Sequence, residues 1–571
     1  MTTRLLRILP LLIVLLAPSL AHAGGFYLAP RGVRPLSRGG AYVAGVEDPH
    51  ALWYNPAGLA YSGDQILLDA NLTLFEAWYT RTDSGGVSLP EVRGYHSYLP
   101  IPTIAGSFSF DEIPELTFGL GIAAPNSVLA DWPHDVDAPQ RYSILTLEGS
   151  LLVSVNAGVA WQPIPEFSIG LAGHVLIGSF DATVALSACD GVICSFPEDP
   201  EYDGIANLSL PSVFPFFVLG TVVDLDVVRI GASVATPFNL EGTARVRVRP
   251  PSAAAFDGAE VVNRRPGCDW QNPDDPCRDD TVASSQLEFP WIFRLGVEVR
   301  PIPELRVELA GVYETWSVQD AARIDSQDVW IQGALGGGLE YQVGPLDIPR
   351  NMNDTISIRL GGEYTIERIV TARLGVSYEN GAFSDEWLTP LTIDSDKVIM
   401  SGGVGIDVSP EVSFDVNVGY VWMAPRNVTT SMVPQANPIR PPGSEESRVY
   451  VGNGTYDMSA PFFGLGFRWR LDAGHLRPTT PASEGEEDEA TEPEPTEEAS
   501  ETPAVDPASE GQDGETPWYL RGQGGNGGAA AEPEPEAEPE PEAEPEAAPR
   551  RETARQRRLR LRRERRRRQQ R

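Results

Sequence analysis

The sequence predicts an all-β protein, a 14-stranded antiparallel transmembrane β-barrel that is plugged by an N-terminal hatch and followed by a disordered C-terminal tail. Three observations lead to this prediction. An export signal opens the chain, and no later segment is apolar enough to form a membrane helix. About fourteen segments alternate apolar and polar residues with a period of two. Short and long connections between these segments alternate strictly, as they do in outer-membrane barrels.

Residues 1–23 have the features of a secretory signal peptide. Arg4 and Arg7 supply the positively charged start, Leu5–Leu20 supply the apolar core, and Ala21–Ala23 form a small-residue cleavage site. No later run reaches the roughly 18 apolar residues that a membrane helix needs. If the exported chain spans a membrane, it does so as a closed barrel, since only that form pairs every backbone group of its strands.

Residues 24–63 are rich in glycine and proline, lack a clear period and precede the first strand pattern. We therefore expect this segment to form a hatch inside the barrel. Its centre is a predicted rigid turn formed by Asn55, Pro56, Ala57 and Gly58. The asparagine side chain hydrogen-bonds locally in such a turn, and the proline fixes φ. Whether this turn gates the lumen or only blocks it stays open from the sequence.

The barrel is predicted over residues 64–471, where each strand has one apolar and one polar face. In residues 292–300, for example, Phe293 and Leu295 lie on the face opposite Arg294. A membrane barrel turns its apolar face to lipid, whereas a soluble array of sheets would bury it. Glycines on the polar face and aromatic residues at strand ends favour the membrane barrel. The predicted strands are 65–79, 101–110, 115–124, 146–161, 166–182, 213–224, 227–248, 286–300, 304–318, 355–365, 368–379, 397–408, 411–424 and 460–470.

The connections orient the predicted strands. Alternate connections are short, such as 111–115 and 300–304, and the others are long, such as 249–285. In outer-membrane barrels the short turns face the periplasm and the long loops face outward. With an even number of strands, this order predicts a protein of the bacterial outer membrane whose C-terminal tail is periplasmic.

Two pairs of cysteines fall in the predicted outer loops. Cys189 and Cys194 share one loop, and Cys268 and Cys277 share another, each pair among Asp, Pro and Gly residues. A local disulfide within each pair suits an oxidising compartment. A metal site is the alternative, but it needs other ligand spacings or added histidines, so we expect no metal.

The last segments of the chain are strongly charged. Residues 472–549 hold 23 acidic residues against two arginines, and this proline-rich composition predicts a disordered linker. Residues 550–571 hold 13 arginines against two glutamates. We expect this arginine-rich tail either to be solvated or to contact an anionic partner such as peptidoglycan or anionic lipid. The net charge of −36 for the whole chain argues against nucleic acid as a partner.

The segment before the strands contains, in order, Gly39–Tyr42, Val46–Asp48 and Trp53–Ala60. With these residues, and with weaker strand matches across 24–470, the chain resembles the outer-membrane long-chain fatty-acid and hydrocarbon transporters of the FadL/TodX type. The resemblance implies a passive route for a hydrophobic small-molecule ligand, which enters through the outer loops, is stopped by the hatch and leaves sideways into outer-membrane lipid. A monomer is sufficient for this route. The alternative is a general porin or a structural barrel whose tail contacts the cell wall.

The resemblance also implies a kink in the third strand at the lateral exit, where this sequence has Gly119, Gly121 and Pro125. Glycine weakens strand pairing, and proline lacks the backbone donor of the ladder. The same residues are equally compatible with the simple end of a strand.

Four arginines are predicted to face the lumen. An arginine there could meet the carboxylate head group of a ligand, and internal salt bridges that fill the barrel are the alternative. These residues are Arg294, Arg306, Arg359 and Arg373. The sequence lacks the motifs of hydrolases, metalloproteases and phosphate loops, so neither an enzyme nor a cofactor is expected.

Overall fold

The computed structural model describes residues 31–95, 101–124, 131–147, 150–189, 194, 196–326, 328–438 and 449–471. The chain divides into Met1–Glu484 and Gly485–Arg571, and all described residues belong to the first unit. The predicted signal peptide, acidic linker, arginine-rich tail and Pro125 therefore lie outside the described residues.

Within the described residues, fourteen antiparallel strands form a closed ring, which confirms the predicted fold class. Each strand pairs with the next, and the last pairs with the first from Gln65–Arg470 to Thr73–Phe462. The strands are β1 (Gln65–Thr73), β2 (Ile101–Ser109), β3 (Leu116–Ala123), β4 (Leu151–Ile164), β5 (Phe167–Ser187), β6 (Asp203–Leu225), β7 (Val228–Ala235), β8 (Ile292–Ile302), β9 (Leu305–Glu314), β10 (Thr355–Ile366), β11 (Val370–Glu379), β12 (Lys397–Asp407), β13 (Val412–Met423) and β14 (Gly454–Arg470).

The strand faces have the orientation of a membrane barrel. On β8, the exposed side chains are the apolar Phe293, Leu295 and Val297, whereas Arg294 and Glu298 are buried. The same alternation of exposed apolar and buried polar residues runs along β9, β10 and β13. The polar faces therefore line the lumen, and the apolar faces form the outer band that contacts lipid. None of the helices in the described part of the chain has the length and hydropathy of a membrane span.

Short turns join the strands at one end of the barrel, and long connections join them at the other. Three turn residues that are not glycine, Asp226, Glu367 and Arg368, have positive φ, as tight turns require. Three predicted strands are interrupted. The predicted strand 65–79 ends at Thr73, and a separate strand begins at Glu76. The predicted strand 227–248 is broken at Pro237, and the predicted strand 286–300 is broken at Pro290. Each proline lacks the N–H that a continuous ladder would use.

The long connections carry further strands and short helices above the barrel. The connections also bury a large apolar cluster that includes Tyr79, Trp132, Phe383 and Tyr456, so they fold over the mouth of the barrel. The additional strands are Glu76–Arg81, Val92–Tyr95, Asn239–Arg249, Glu260–Asn263, Val282–Glu288, Ala321–Asp325, Val329–Gly333, Leu339–Gln342, Leu346–Pro349 and Arg426–Val428. The 3-10 helices are Pro200–Tyr202, Ala254–Phe256, Trp316–Val318 and Pro390–Thr392, and one α-helical turn spans Ala334–Gly337.

The described cysteines lie in these outer connections and form two disulfides. Cys189 and Cys194 have their Cα atoms 5.5 Å apart, and those of Cys268 and Cys277 are 5.6 Å apart. Both pairs are the ones that the sequence predicts.

The hatch lies inside the barrel. Its described part, residues 31–63, contains α1 (Val33–Ser37), α2 (Ala51–Tyr54) and the 3-10 helix Pro56–Tyr61. Nearly all of its side chains are buried. Two residues after the hatch, at Gln65, the chain enters β1.

Candidate functional site: the hatch and the cavity beside it

The turn at Asn55 is bound to two barrel strands. The Asn55 amide donates to the carbonyl oxygens of Val43 (2.9 Å) and Thr221 (3.0 Å). Its own oxygen accepts the N–H of Ala57 at 3.3 Å, which closes the turn before the 3-10 helix. The Ser168 hydroxyl on β5 donates to the carbonyl of Ala57 at 3.1 Å. The predicted turn is thus the point where the hatch meets β5 and β6.

Glycines in the wall make room for this turn. A Cβ atom on Gly170 would lie 2.3 Å from the carbonyl carbon of Pro56, and one on Gly220 would lie 2.0 Å from Asn55 Oδ1. Real Cβ atoms do not approach so closely, so hatch backbone and strand backbone are in direct contact. The same close approach to the hatch backbone occurs at Gly231, Gly361 and Gly375.

Glu308 on β9 binds the segment after α1 and is itself fully buried. Its Oε1 accepts the backbone N–H groups of Val43 (2.7 Å) and Ala44 (2.9 Å). Its Oε2 accepts the N–H of Gly45 (3.0 Å) and a guanidinium N–H of Arg38 (3.2 Å). One carboxylate therefore holds four donors of the hatch, and hydrogen bonds to a charged acceptor are the stronger kind.

A network of ion pairs joins the hatch to β9, β10 and β11. In the hatch, Arg34 lies 2.8 Å from Glu47 and 2.9 Å from Glu363 of β10. Arg306 lies 2.8 Å from Glu47 and 3.2 Å from Glu363, and Arg373 lies 3.1 Å from Glu363. Burial opposes ionisation of Glu47, but Arg306 and Arg34 hold its pKa well below the usual range. Two of the predicted lumen arginines, Arg306 and Arg373, thus lie in internal salt bridges.

His50 connects the hatch to the first strand. Its Nδ1 lies 2.9 Å from Asp48 of the hatch, and its Nε2 lies 3.0 Å from Asp69 of β1. Burial alone would lower the pKa of His50, but the Asp48 and Asp69 carboxylates raise it to about 10. A protonated imidazole therefore bridges two carboxylates at the seam where the barrel closes.

The other two predicted lumen arginines lie nearer the outer end. Arg359 donates to the Ser357 hydroxyl at 2.8 Å and to the Gly40 carbonyl at 3.4 Å. Arg294 lines a cavity of about 130 Å³. The guanidinium of Arg31 also lines this cavity and stacks on the Trp53 ring, 3.2 Å from its centroid.

The cavity lies between the hatch and the part of the barrel wall nearest the long connections, and its lining is mostly apolar. Three arginines contribute to this lining, and burial lowers the pKa of Arg350 only to about 10, so its charge persists at neutral pH. The lining residues are Arg31, Trp53, Leu152, Ser154, Leu176, Phe180, Phe216, Val218, Ala235, Thr236, Phe238, Leu287, Phe289, Pro290, Ile292, Arg294, Trp316, Arg350 and Leu391.

A row of aromatic rings runs along one side of the cavity. Ring centroids are 5.9 Å apart for Trp53 and Phe216, and 5.4 Å for Phe216 and Phe238. The row continues from Phe238 to Phe289 at 4.2 Å and from Phe289 to Trp316 at 6.1 Å. This row was not predicted from the sequence, because its members come from the hatch, β6 and two long connections. In the sequence, a proline stands next to each of Phe214, Phe216, Phe238 and Phe289, and this pattern could have indicated the row.

This geometry agrees with the comparisons to known proteins. The model of the family described as outer membrane protein transport protein (OMPP1/FadL/TodX) matches residues 14–470. The chain belongs to the OMPP1/FadL/TodX family. The predicted resemblance is thereby confirmed, and membership places the protein in the outer membrane. No curated protein matches the chain.

Solved structures of FadL/TodX proteins share the fold at low sequence identity. A Pseudomonas aeruginosa FadL homologue is 16% identical, with a TM-score of 0.62 over 79% of this chain and all of that one. The P. putida toluene transporter TodX is 15% identical, with a TM-score of 0.52 over 77% of this chain and 98% of that one. The Ralstonia pickettii toluene transporter TbuX is 14% identical, with a TM-score of 0.50 over 77% and 99%.

In this FadL/TodX chain, the residues predicted to kink the third strand lie in regular pairing as far as they are described. β3 pairs with β2 from Thr117 to Ala123 and with β4 from Leu116 to Ala123, in both cases without a shift of register. A Cβ on Gly119 would lie 2.9 Å from Leu59 of the hatch, and one on Gly121 would lie 2.6 Å from Asn156 Oδ1. These two glycines therefore make room for the hatch and for a lumen side chain.

Proposed function

We propose that this protein carries hydrophobic compounds passively across the outer membrane, and that its preferred ligands are long-chain fatty acids. The main observation behind this proposal is the cavity beside the hatch, where aromatic and aliphatic side chains surround three arginines. Each CH₂ group moved from water into such surroundings gains about 0.8 kcal/mol. A guanidinium group pairs well with a carboxylate, so the arginines favour a fatty acid over a neutral hydrocarbon such as the toluene named for TodX and TbuX.

The proposed route begins at the outer loops and reaches the cavity through the end of the barrel that carries the long connections. The hatch then blocks the straight path, and the ligand leaves sideways into lipid. In this orientation the short turns and the end of β14 at Arg470 face the periplasm, as does the tail 472–571. Bilayer lipid is the acceptor, and no energy source is needed because the ligand moves down its gradient.

Ligand binding tests this function. Radiolabelled oleate and oleyl alcohol are titrated into the full chain in nanodiscs, since the two probes differ only in their head group. Arg294→Gln should weaken oleate binding at least about tenfold, because one hydrogen bond to a charged group contributes about 1.5 kcal/mol or more, and it should leave the binding of oleyl alcohol nearly unchanged. Arg300→Gln, outside the cavity lining, is the control. Absence of binding for both probes would overturn the function.

Conductance separates this function from a general porin. The buried hatch and its ion pairs support a plugged barrel. In planar bilayers the full chain should conduct little, and deletion of residues 24–62 should open it. An intact protein that already conducts like an open pore, with no change on deletion, would favour the porin.

A further inference from the structure

A row of three arginines faces outward from one of the long connections. Arg245, Arg247 and Arg249 occupy alternate positions at the end of the strand Asn239–Arg249. All three side chains are exposed, whereas the two valines between them are half-buried on the other face. Alternate residues of a strand lie about 6.6 Å apart on one face. We call these three residues the outer arginine row.

The backbone that carries the row is held by strand pairing. Residues 245–249 pair with residues 205–209 of β6. On the other side, residues 239–245 pair with residues 282–288, and the Val246 N–H donates to the Thr281 carbonyl oxygen at 2.9 Å. The row therefore presents its guanidinium groups at a fixed spacing, as a sheet does and an irregular loop does not.

The described residues around the row leave it without a counter-charge. Among the residues that the structure describes, none of the three guanidinium groups has a hydrogen bond, an ion pair or a ring contact. This is unusual in a chain whose net charge is −36. Other exposed arginines of the long connections lie beside a carboxylate, as Arg323 does beside Asp320 at 2.6 Å.

The carboxylates that flank the row are engaged elsewhere or lie too far away. Asp181 of β5 lies two strands away on the same face and accepts the Ser179 hydroxyl at 2.6 Å. On the other side, Asp280 lies 3.2 Å from Arg265. Glu241, on the same face of the strand itself, is four positions from the row, about 13 Å along the strand. Because like charges side by side repel one another, an anion from outside the chain would stabilise the row.

The row begins where the lipid-facing surface of β6 ends. The outward positions of β6 are apolar as far as Pro211 and then polar at Ser209 and Asn207. These two polar residues are the register partners of Arg245 and Arg247. In the proposed orientation, with the long connections outside, the row therefore stands at the level of the lipid head groups of the outer leaflet.

We infer that the outer arginine row binds the phosphate groups of lipids in the outer leaflet. A guanidinium group pairs with a phosphate through two parallel hydrogen bonds, and a phosphorylated lipid carries this anion directly above its acyl chains. The acyl chains then lie against the apolar outward face of β6. This inference goes beyond the proposed carriage of hydrophobic compounds and shares with it only the outward orientation of the long connections.

Lipid binding by the full chain tests the row. Diphosphoryl lipid A and the same lipid without its phosphates are titrated separately into the detergent-solubilised protein, and native mass spectrometry measures the bound fraction. The combined variant Arg245→Gln, Arg247→Gln and Arg249→Gln should bind the phosphorylated lipid about a hundredfold more weakly, since each arginine at an anionic lipid surface contributes about fivefold. The lipid without phosphates should bind equally to both proteins.

A matched control removes three arginines from other long connections. Arg93→Gln, Arg323→Gln and Arg426→Gln are combined, because each of these side chains already lies beside a carboxylate. Affinity for the phosphorylated lipid should stay within about threefold. Heat-dependent electrophoretic mobility shows whether each barrel has formed, and if the row variant does not form one, the single Arg247→Gln replaces it, with an expected loss of about fivefold.

Two results would overturn the inference: an unchanged affinity of the folded row variant for the phosphorylated lipid, or an equal loss in the control. Inorganic phosphate in excess should leave the lipid bound, because the acyl chains add their own contacts; displacement would show a site for free phosphate and would overturn the assignment to lipid. Oleate binding is measured on the same samples. If it persists while the lipid result fails, the row is refuted and the proposed function stands.

Discussion

Replacing Glu308 with glutamine should loosen the hatch while preserving the shape of the wall. The carboxylate accepts three backbone N–H groups of the hatch and one guanidinium N–H, at 2.7 to 3.2 Å. An amide keeps one oxygen acceptor and turns an NH₂ group toward the remaining donors. Two of the four hydrogen bonds are therefore lost and replaced by contacts between donors.

The size of the effect follows from these contacts. Hydrogen bonds to charged groups contribute about 1.5–3 kcal/mol each, so two of them amount to at least about 3 kcal/mol. Arg38 keeps its second carboxylate, Glu298, at 3.0 Å, which favours the lower end of the range. About 3 kcal/mol corresponds to roughly a hundredfold increase in the ratio of released to docked hatch.

Single-channel recording in planar bilayers measures this ratio as the fraction of time spent conducting. The hatch deletion of residues 24–62 defines the fully released limit. Asp224→Asn is the matched control, because this carboxylate pairs with Arg229 and Arg300 of the wall. If Glu308→Gln conducts no more often than Asp224→Asn while the deletion opens the pore, Glu308 does not hold the hatch.

Two further predictions concern hatch docking. Because the pKa of His50 is raised to about 10, its contribution to hatch docking is complete below about pH 6.5 and is lost as the pH rises through about 10. The fraction of time that the channel conducts should therefore increase from neutral to alkaline pH. A His50→Gln variant with the same pH profile as the unmodified protein would refute this. Gly220→Ala should displace Asn55 and weaken hatch docking by about 2–3 kcal/mol, because two to three hydrogen bonds are lost. Protease should then cleave the hatch faster. Gly311→Ala is the control, because its new Cβ meets nothing within 4 Å, and equal cleavage of the two variants would refute the prediction.

The barrel could be predicted because each strand is specified by residues that are close together in the sequence. Alternation with a period of two marks each strand, and the lengths of the connections fix its direction. The exposed Phe293 and buried Arg294 follow directly from that period. The breaks at Pro237 and Pro290 were missed because the apolar alternation continues across them, although a proline inside a strand pattern is itself a warning.

The contents of the barrel could not be predicted in the same way. The period of two places Arg306 and Arg294 on the lumen face, but it does not distinguish a salt bridge from a ligand contact. The distinction depends on partners such as Glu47 and Trp53, which come from the hatch far away in the chain.

The glycines that face the hatch also bear on the order of assembly. The surface that receives Asn55 and Pro56 is made of bare backbone from β5 and β6, and the surface around Arg38 is made by β10 and β11. None of these surfaces exists before the strands have paired, so the hatch cannot nucleate folding and must be among the last parts to become ordered. Its direct link to β1 keeps it at high local concentration at the seam, and docking there would strengthen the closure between the first and last strands.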